Sequence, residues 1–290
     1  MRVVILSAQT GWHTDELCRA LAERGHEGRV LPYEGLVARL GTAGAGAFFD
    51  ADAVLARIIP NGSLEQIIYR VDALHWLESR GVRVMNRPRA IERCVDKFYT
   101  TALLQEAGLP VPETVVCETF ADAIAAVRAM GDVIVKPIFG SMGHGLVRVS
   151  DPDVAFRVLR PLEQTGTVFY VQRAIDHGGR DVRAFVIGGQ VVAAIERCAP
   201  EGEWRTNIAR GGAARAIDLP PAWRDLATRA AATAGADYAG VDLLPARDGT
   251  VYVLEINGIP GWRGVQEATG IDIAGALVGQ LASPAAECPL

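Results

Sequence analysis

The chain reads as an α/β protein: a parallel, Rossmann-like N-terminal unit followed by an α+β remainder. Three observations predict this. Apolar strand-like runs alternate with amphipathic helices over about the first 90 residues, as in a parallel sheet with crossover helices. Farther along, Gly188-Gly189 separates two strand-like runs, as a hairpin turn would. Near the C-terminus, two apolar runs carry acceptor oxygens: Gly240-Val241-Asp242-Leu243-Leu244 and Leu254-Glu255-Ile256-Asn257-Gly258.

Taken in order, residues 3–6 are a buried strand. Thr14 is the expected N-cap of a helix over 14–23, with Leu17 and Leu21 inward and Gly25 at its end. Residues 53–59 form a second strand. Ile67, Ile68, Val71, Leu74 and Leu77 stripe a helix over 64–79, closed by Gly81, and residues 82–86 follow as a strand. No GxGxxG follows the first strand, so a dinucleotide site finds little support. The second unit, opening near Arg87-Pro88, offers helices over 96–106 and 121–130. Strands at 133–137, 147–149 and 168–172 accompany them. The third has strands at 182–187 and 190–196, a helix over 223–234, and the two acidic strands. The expected units are thus 1–90, 91–172 and 173–282, with a loose tail at 283–290.

At 290 residues the chain can hold two to three small domains. Half the residues are hydrophobic and the net charge is −5, so no basic field advertises nucleic acid. The five cysteines, at 18, 94, 117, 198 and 288, form no CxxC pair. That argues against a zinc site or disulfide framework and fits a reducing cytosol. No signal pattern and no apolar run of about 20 residues is present, so the expectation is a cytoplasmic protein without a membrane partner.

The chemistry concentrates in a few segments. Glu255 and Asn257 are two apart, so a strand points them to one face. With Asp242 they offer an all-oxygen set suited to Mg²⁺ shared with phosphates. Lys136, between Val135 and Pro137 in an apolar strand, needs an anionic partner. Directly after it comes Gly140-Ser141-Met142-Gly143-His144-Gly145, whose backbone N–H groups could approach phosphate oxygens. Together these read as an ATP site. The structural alternatives are plain: a hairpin turn for the glycines, a solvated helix lysine at Lys97, and arginines such as Arg183, Arg197, Arg205 and Arg210 neutralising Asp242 and Glu255. Trp204 to Gly212, with two arginines and an asparagine, could clamp an anion or line an exposed loop. His144 reads as a lid or substrate contact, and Trp262 as packing.

The order of these segments resembles a family. Asp96-Lys97, Val135-Lys136-Pro137, the glycine loop, Val171-Gln172-Arg173-Ala174-Ile175, Asp181-Val182-Arg183 and Ile195-Glu196-Arg197 come first. Arg205-Thr206-Asn207 through Gly212, Val241-Asp242 and Leu254-Glu255-Ile256-Asn257 complete the set. It resembles the ATP-grasp superfamily, and within it the RimK-like α-L-glutamate ligases, over about residues 86–275. The resemblance implies an ATP-grasp fold, with two α+β subdomains clamping ATP behind the N-terminal α/β domain. It implies that Lys97 and Lys136 touch ATP phosphates, with Ser141 and Gly143 in the covering loop. Gln172, Arg173, Ala174 and Ile175 would form the nucleotide-binding segment, backbone groups of Arg173 and Ala174 meeting the adenine edge. Asp181 would hold the ribose, and Arg205 and Asn207 the nucleotide and metal side. Asp242, Glu255 and Asn257 would bind two Mg²⁺ ions, for which Mn²⁺ can substitute. Arg210 would steady the acyl-phosphate and the tetrahedral intermediate. Family members often carry an acidic residue where Arg173 stands, which leaves the adenine contact to the backbone.

The implied activity is an ATP-dependent carboxylate–amine ligase acting through an acyl-phosphate. The expected substrates are L-glutamate and a small-molecule carboxylate acceptor, a C1-carrier cofactor of pterin or furan type. Alternatives are a ligase acting on a carrier protein or ribosomal protein tail, and an ATP-grasp-fold kinase phosphorylating a hydroxyl. A homodimer or homotetramer is the family's usual assembly.

Overall fold

The computed structural model describes residues 1–41, 50–140, 145–206 and 212–283. Strands β1 (Arg2–Leu6), β2 (Glu27–Leu31), β3 (Ala53–Ala56) and β4 (Arg83–Met85) form a parallel sheet in the order β2-β1-β3-β4. Helices α1 (Trp12–Glu23) and α2 (Leu64–Ser79) connect them. All four residues of β3 are buried, as expected for an inner strand covered on both faces. Thr14 is not the cap of α1. Gly11 is, and the Thr14 hydroxyl accepts from the Gly11 N–H at 2.8 Å from one turn inside. For α2, Ser63 caps the helix and Gln66 reciprocates, so two orphan N–H groups are satisfied locally.

Two helices follow, α3 (Pro88–Val95) and α4 (Lys97–Glu106). Asp96 separates them in an extended conformation, and its carboxylate accepts from the Tyr99 N–H at 3.0 Å. The central antiparallel sheet has the order β5-β8-β6-β7, from β5 (Thr114–Cys117), β6 (Val133–Lys136), β7 (Val147–Val149) and β8 (Phe169–Arg173). Helices α5 (Phe120–Met130) and α6 (Pro152–Gln164) pack on it around Val127, Val135, Leu159 and Val171.

The third sheet is also antiparallel, in the order β11-β10-β9-β12-β13. Its strands are β9 (Arg180–Ile187), β10 (Gln190–Cys198), β11 (Ala213–Ala216), β12 (Tyr238–Pro245) and β13 (Val251–Asn257). Successive residues of β9 face opposite sides. Val182, Ala184 and Val186 pack beneath α7 (Pro221–Ala234). Phe185 and Ile187 join a core with Val3, Ile5 and Leu55 of the parallel sheet and Leu277 and Leu281 of α9 (Ile273–Ala282). Helix α8 (Arg263–Thr269) lies between β13 and α9. The first and third sheets therefore share one core, while the central sheet keeps its own.

One buried side chain stitches the shared core. Asn86 donates to the carbonyls of Tyr238, at 2.7 Å, and Gly258, and accepts from the Tyr238 N–H at 3.0 Å. It thereby ties the end of β4 to the start of β12 and the end of β13. Among the described residues, no helix is long and apolar enough to cross a membrane.

Candidate active site

Lys136 closes β6, where the sheet aims its ammonium at Gln172 of β8; Nζ donates to Oε1 at 2.6 Å. The Gln172 amide nitrogen donates to Thr114 Oγ1 at 3.0 Å and to the Tyr170 hydroxyl at 3.2 Å. Those bonds fix which end of the amide meets the lysine. Lys97 is the first residue of α4, where the positive end of the helix dipole disfavours a cation. Its Nζ donates to the carbonyls of Gly140, at 2.7 Å, and Ile138, at 3.3 Å, just before the glycine loop.

Among the described residues, neither ammonium has a carboxylate in salt-bridge reach; each rests on neutral oxygens. Burial pulls Lys136 down to about 8, with Glu255 opposing the shift and Lys97 reinforcing it. Burial also lowers Lys97, against Glu255 and Asp96. Two crowded ammonium groups beside a glycine loop are costly to hold, and a polyphosphate relieves both. The residues present fit ATP at this position.

Asp242 and Glu255 are directly paired across β12 and β13, with Asn257 opposite Gly240, so all three lie on one face. Their circumstances differ. Asp242 is buried and held by Arg183, through Nε and Nη2 at 2.7 Å each, and by Arg197 Nη2 at 2.9 Å. Burial resists its charge, yet Arg183 and Arg197 outweigh that and bring the carboxyl down to about 2. A carboxylate has about four acceptor sites. Three are used on Asp242, which leaves room for one further contact and no bidentate grip on a metal. Asn257 Oδ1 accepts from the Ile259 N–H at 2.9 Å and keeps its second lone pair. Glu255, half-buried, has no hydrogen bond or ion pair among the described residues. A hard cation fits this set with Glu255 as its principal ligand and Asp242 and Asn257 contributing single oxygens. Among the described residues, no group of three His, Cys, Asp or Glu could hold a metal.

Two expectations change. Asp181 does not present a free carboxylate to a ribose. It is buried, and its oxygens accept from Arg197 at 2.7 and 2.6 Å and from Thr206 Oγ1 at 2.6 Å. The N–H groups of Arg173 and Ala174 are spent on the carbonyls of Glu113, at 2.8 Å, and Asp132, at 2.9 Å. An adenine contact from this segment therefore falls to its carbonyls and to Ile175. The Arg173 side chain turns to Glu113, and Arg205 pairs with Glu203 at 2.6 Å and lies over the Trp204 ring. Ser141, Gly143, Asn207 and Arg210 lie outside the described residues.

Arg183 and Arg197, visible in the sequence only as available cations, prove to be the partners of Asp242 and Asp181. Register decides this: β9 sets Arg183 opposite Asp242, and β10 sets Arg197 opposite Asp181. Sequence reasoning passed over Trp12 and Arg57 and read His13 as a surface or packing residue; the three gather around Trp262. The one signal for them was position, after β1 and β3 of the parallel sheet.

A family model described as RimK-like ATP-grasp domain matches residues 94–281. The chain is 35% identical over 264 residues to the tetrahydromethanopterin:alpha-L-glutamate ligase of Methanosarcina acetivorans, covering 82% of each. It is 34% identical over 288 residues to the ribosomal protein bS6–L-glutamate ligase of Salmonella newport, covering 96% of this chain and 94% of that one. The solved structure of the ATP-grasp ligase PsnB complexed with minimal precursor superposes with a TM-score of 0.76 at 27% identity. That match covers 96% of this chain and 97% of the other.

Proposed function

Because this chain belongs to the RimK-like ATP-grasp family and is an ATP-dependent ligase, we propose that it joins the amine of L-glutamate to a carboxylate acceptor through an acyl-phosphate. One observation carries the reading: Lys97 and Lys136, held on neutral oxygens, stand near the uncommitted carboxylate of Glu255. The acceptor carboxylate and the γ-phosphoryl group are both anions, so their approach needs this concentration of positive charge. Lys136 and Lys97 draw in the phosphates and offset their charge. Glu255, Asp242 and Asn257 would hold Mg²⁺, which supplies further neutralisation when bound. Arg210 is assigned to the oxyanion formed when the amine attacks, where one positioned donor contributes about 3–4 kcal/mol. The glycine loop would exclude water from the acyl-phosphate.

The comparisons do not single out a C1-carrier cofactor as the acceptor. The relatives named above include a ligase for tetrahydromethanopterin, one for a ribosomal protein and one solved with a precursor. A terminal carboxylate on a peptide or protein tail suits this pattern at least as well as a pterin or furan cofactor.

The test is phosphate release from ATP with Mg²⁺ and glutamate, run against pterin and furan cofactors and peptides with free C-termini. Products are weighed by mass spectrometry. An acceptor gaining glutamyl units carries the proposal and identifies the acceptor class. A phosphoryl group gained on a hydroxyl would overturn it in favour of a kinase. The Glu255→Gln variant is expected to lose turnover while keeping its thermal midpoint; near-normal activity would remove Glu255 from the metal site.

A further inference from the structure

We propose that the crevice at the carboxyl ends of β1 and β3 receives the carboxylate of the amine substrate, with Arg263 and His13 as its contacts and Arg57 as a positioning residue behind them. The inference deepens the ligase reading and rests on it.

Topology provides the place. In the order β2-β1-β3-β4, the chain leaves β1 toward one edge of the sheet and β3 lies on the other side. Open parallel sheets bind ligands at such a switch point, beyond the carboxyl ends of the strands. Ser7 and the loop to Trp12 follow β1, and Arg57 follows β3. The segment after β13 closes over both. His13 Nε2 accepts the Trp262 N–H at 3.1 Å, and Arg57 donates to the Pro260 carbonyl at 3.2 Å. That segment continues directly from Glu255 and Asn257, two residues of the proposed metal face.

Charge provides the ligand. Arg57 is only 3% exposed, yet among the described residues it has no carboxylate partner. Its hydrogen bonds go to Pro260 and, at 3.4 Å, to the Tyr238 hydroxyl, and its guanidinium lies 4.6 Å from the Trp262 ring centroid. The buried Arg197, by contrast, meets two carboxylates. Arg263 is exposed, lies over the Trp12 ring at 5.8 Å, and among the described residues pairs only with Glu267 one turn along its own helix. His13 stacks edge-on against Trp12 and Trp262, the rings over which Arg263 and Arg57 lie. Burial, then Arg57, then Arg263 lower it to about 4, so its ring is neutral at pH 7. With Nε2 accepting, Nδ1 carries the proton and is a donor. The nearby Glu16 is committed to Arg19 and Gln266. The Trp262 Nε1–H, fully buried, has no acceptor among the described residues. The crevice is rich in donors and positive charge and poor in acceptors, the reverse of what an ammonium would need. An anion fits, and in the ligation of glutamate the amine substrate brings carboxylates that take no part in the bond formed. Held there, the carboxylate leaves the amine free to turn toward the acyl-phosphate.

The test pairs binding with kinetics. The His13 imidazole is followed by NMR in the intact protein with ADP and Mg²⁺, adding glutamate, glutarate or putrescine. Glutamate and glutarate are expected to move the His13 resonances and raise its pKa, and putrescine to do neither. Arg263→Gln is expected to raise the KM for glutamate about tenfold or more, leaving that for ATP within about twofold, and Arg263→Lys to recover part of the loss. No carboxylate moving His13 would overturn the subsite whatever the turnover assays give. Equal change in both KM values in Arg263→Gln would overturn it as well. A carboxylate-dependent shift without any glutamylation would leave the subsite standing and refute the glutamate ligase reading instead.

Discussion

Lys136 sets a pH dependence whose sign can be worked out. Its folded-state pKa is lowered to about 8 from the ordinary 10.5, so between those values the unfolded chain binds a proton that the folded one does not. Stability therefore gains from this residue as pH rises from about 8 toward 10.5, and its burial opposes folding below that window. Nucleotide binding runs the other way. A polyphosphate favours the charged lysine, so ATP should bind with proton uptake near pH 8 to 9 and weaken at higher pH. Calorimetry in two buffers of different ionisation enthalpy measures this directly; equal heats at pH 8.5 would remove Lys136 from the phosphate site. The neighbouring arginine–carboxylate cluster behaves differently. Arg197 serves both Asp181 and Asp242 at 5% side-chain exposure. Arg197→Met should cost about 3–5 kcal/mol, because it strands buried charge. Arg215→Ala, an exposed partner of Glu196, should cost no more than about 1 kcal/mol. Thermal or denaturant unfolding of the two variants compares them.

At the scale of elements, what was legible was whatever is local. Helix α2 matches its expected span because its apolar stripe and its Ser63–Gln66 capping box lie within one stretch of chain. Helix α6 was missed because Pro161 stands inside it and reads as a breaker, although its first turn tolerates Pro152 and Asp151 caps it. Strand β11, Ala-Ala-Arg-Ala, carries almost no strand propensity and exists because β10 offers it an edge. The same division holds at the site. Lys136 and Glu255 stood out as charges in apolar strands. The commitment of Asp181 and Asp242 to arginines depends on the register of β9 against β10 and β12, which no local pattern encodes. Packing between strand and loop adds a prediction. A Cβ on Gly240, opposite Asn257, would lie 3.0 Å from Pro260 Cβ. Gly240→Ala should destabilise by about 1–3 kcal/mol and raise the Mg²⁺ concentration needed for half-maximal turnover. An unchanged Mg²⁺ requirement would detach this packing from the metal face.

Among the described residues, the first and third sheets share one core and each has a second on its other face, while the central sheet has its own. Asn86→Ala would orphan the Tyr238 N–H and the Tyr238 and Gly258 carbonyls on the third-sheet side of the seam, at about 1–3 kcal/mol for each. A single unfolding transition at a lower midpoint is expected; two separated transitions would mean that the sheets hold together without it. The separate core of the central sheet has a consequence for how the chain reaches this state. Its members all come from one span, Val115 to Val171, so they can meet as soon as that span is available. The shared core gathers Val3 and Leu281, residues far apart in the sequence, into one cluster. Contacts that close so long a loop form late. During synthesis, the central sheet can be finished while the shared core still waits for α9, and the face of α1 that α9 will cover stays open to other chains until that helix emerges.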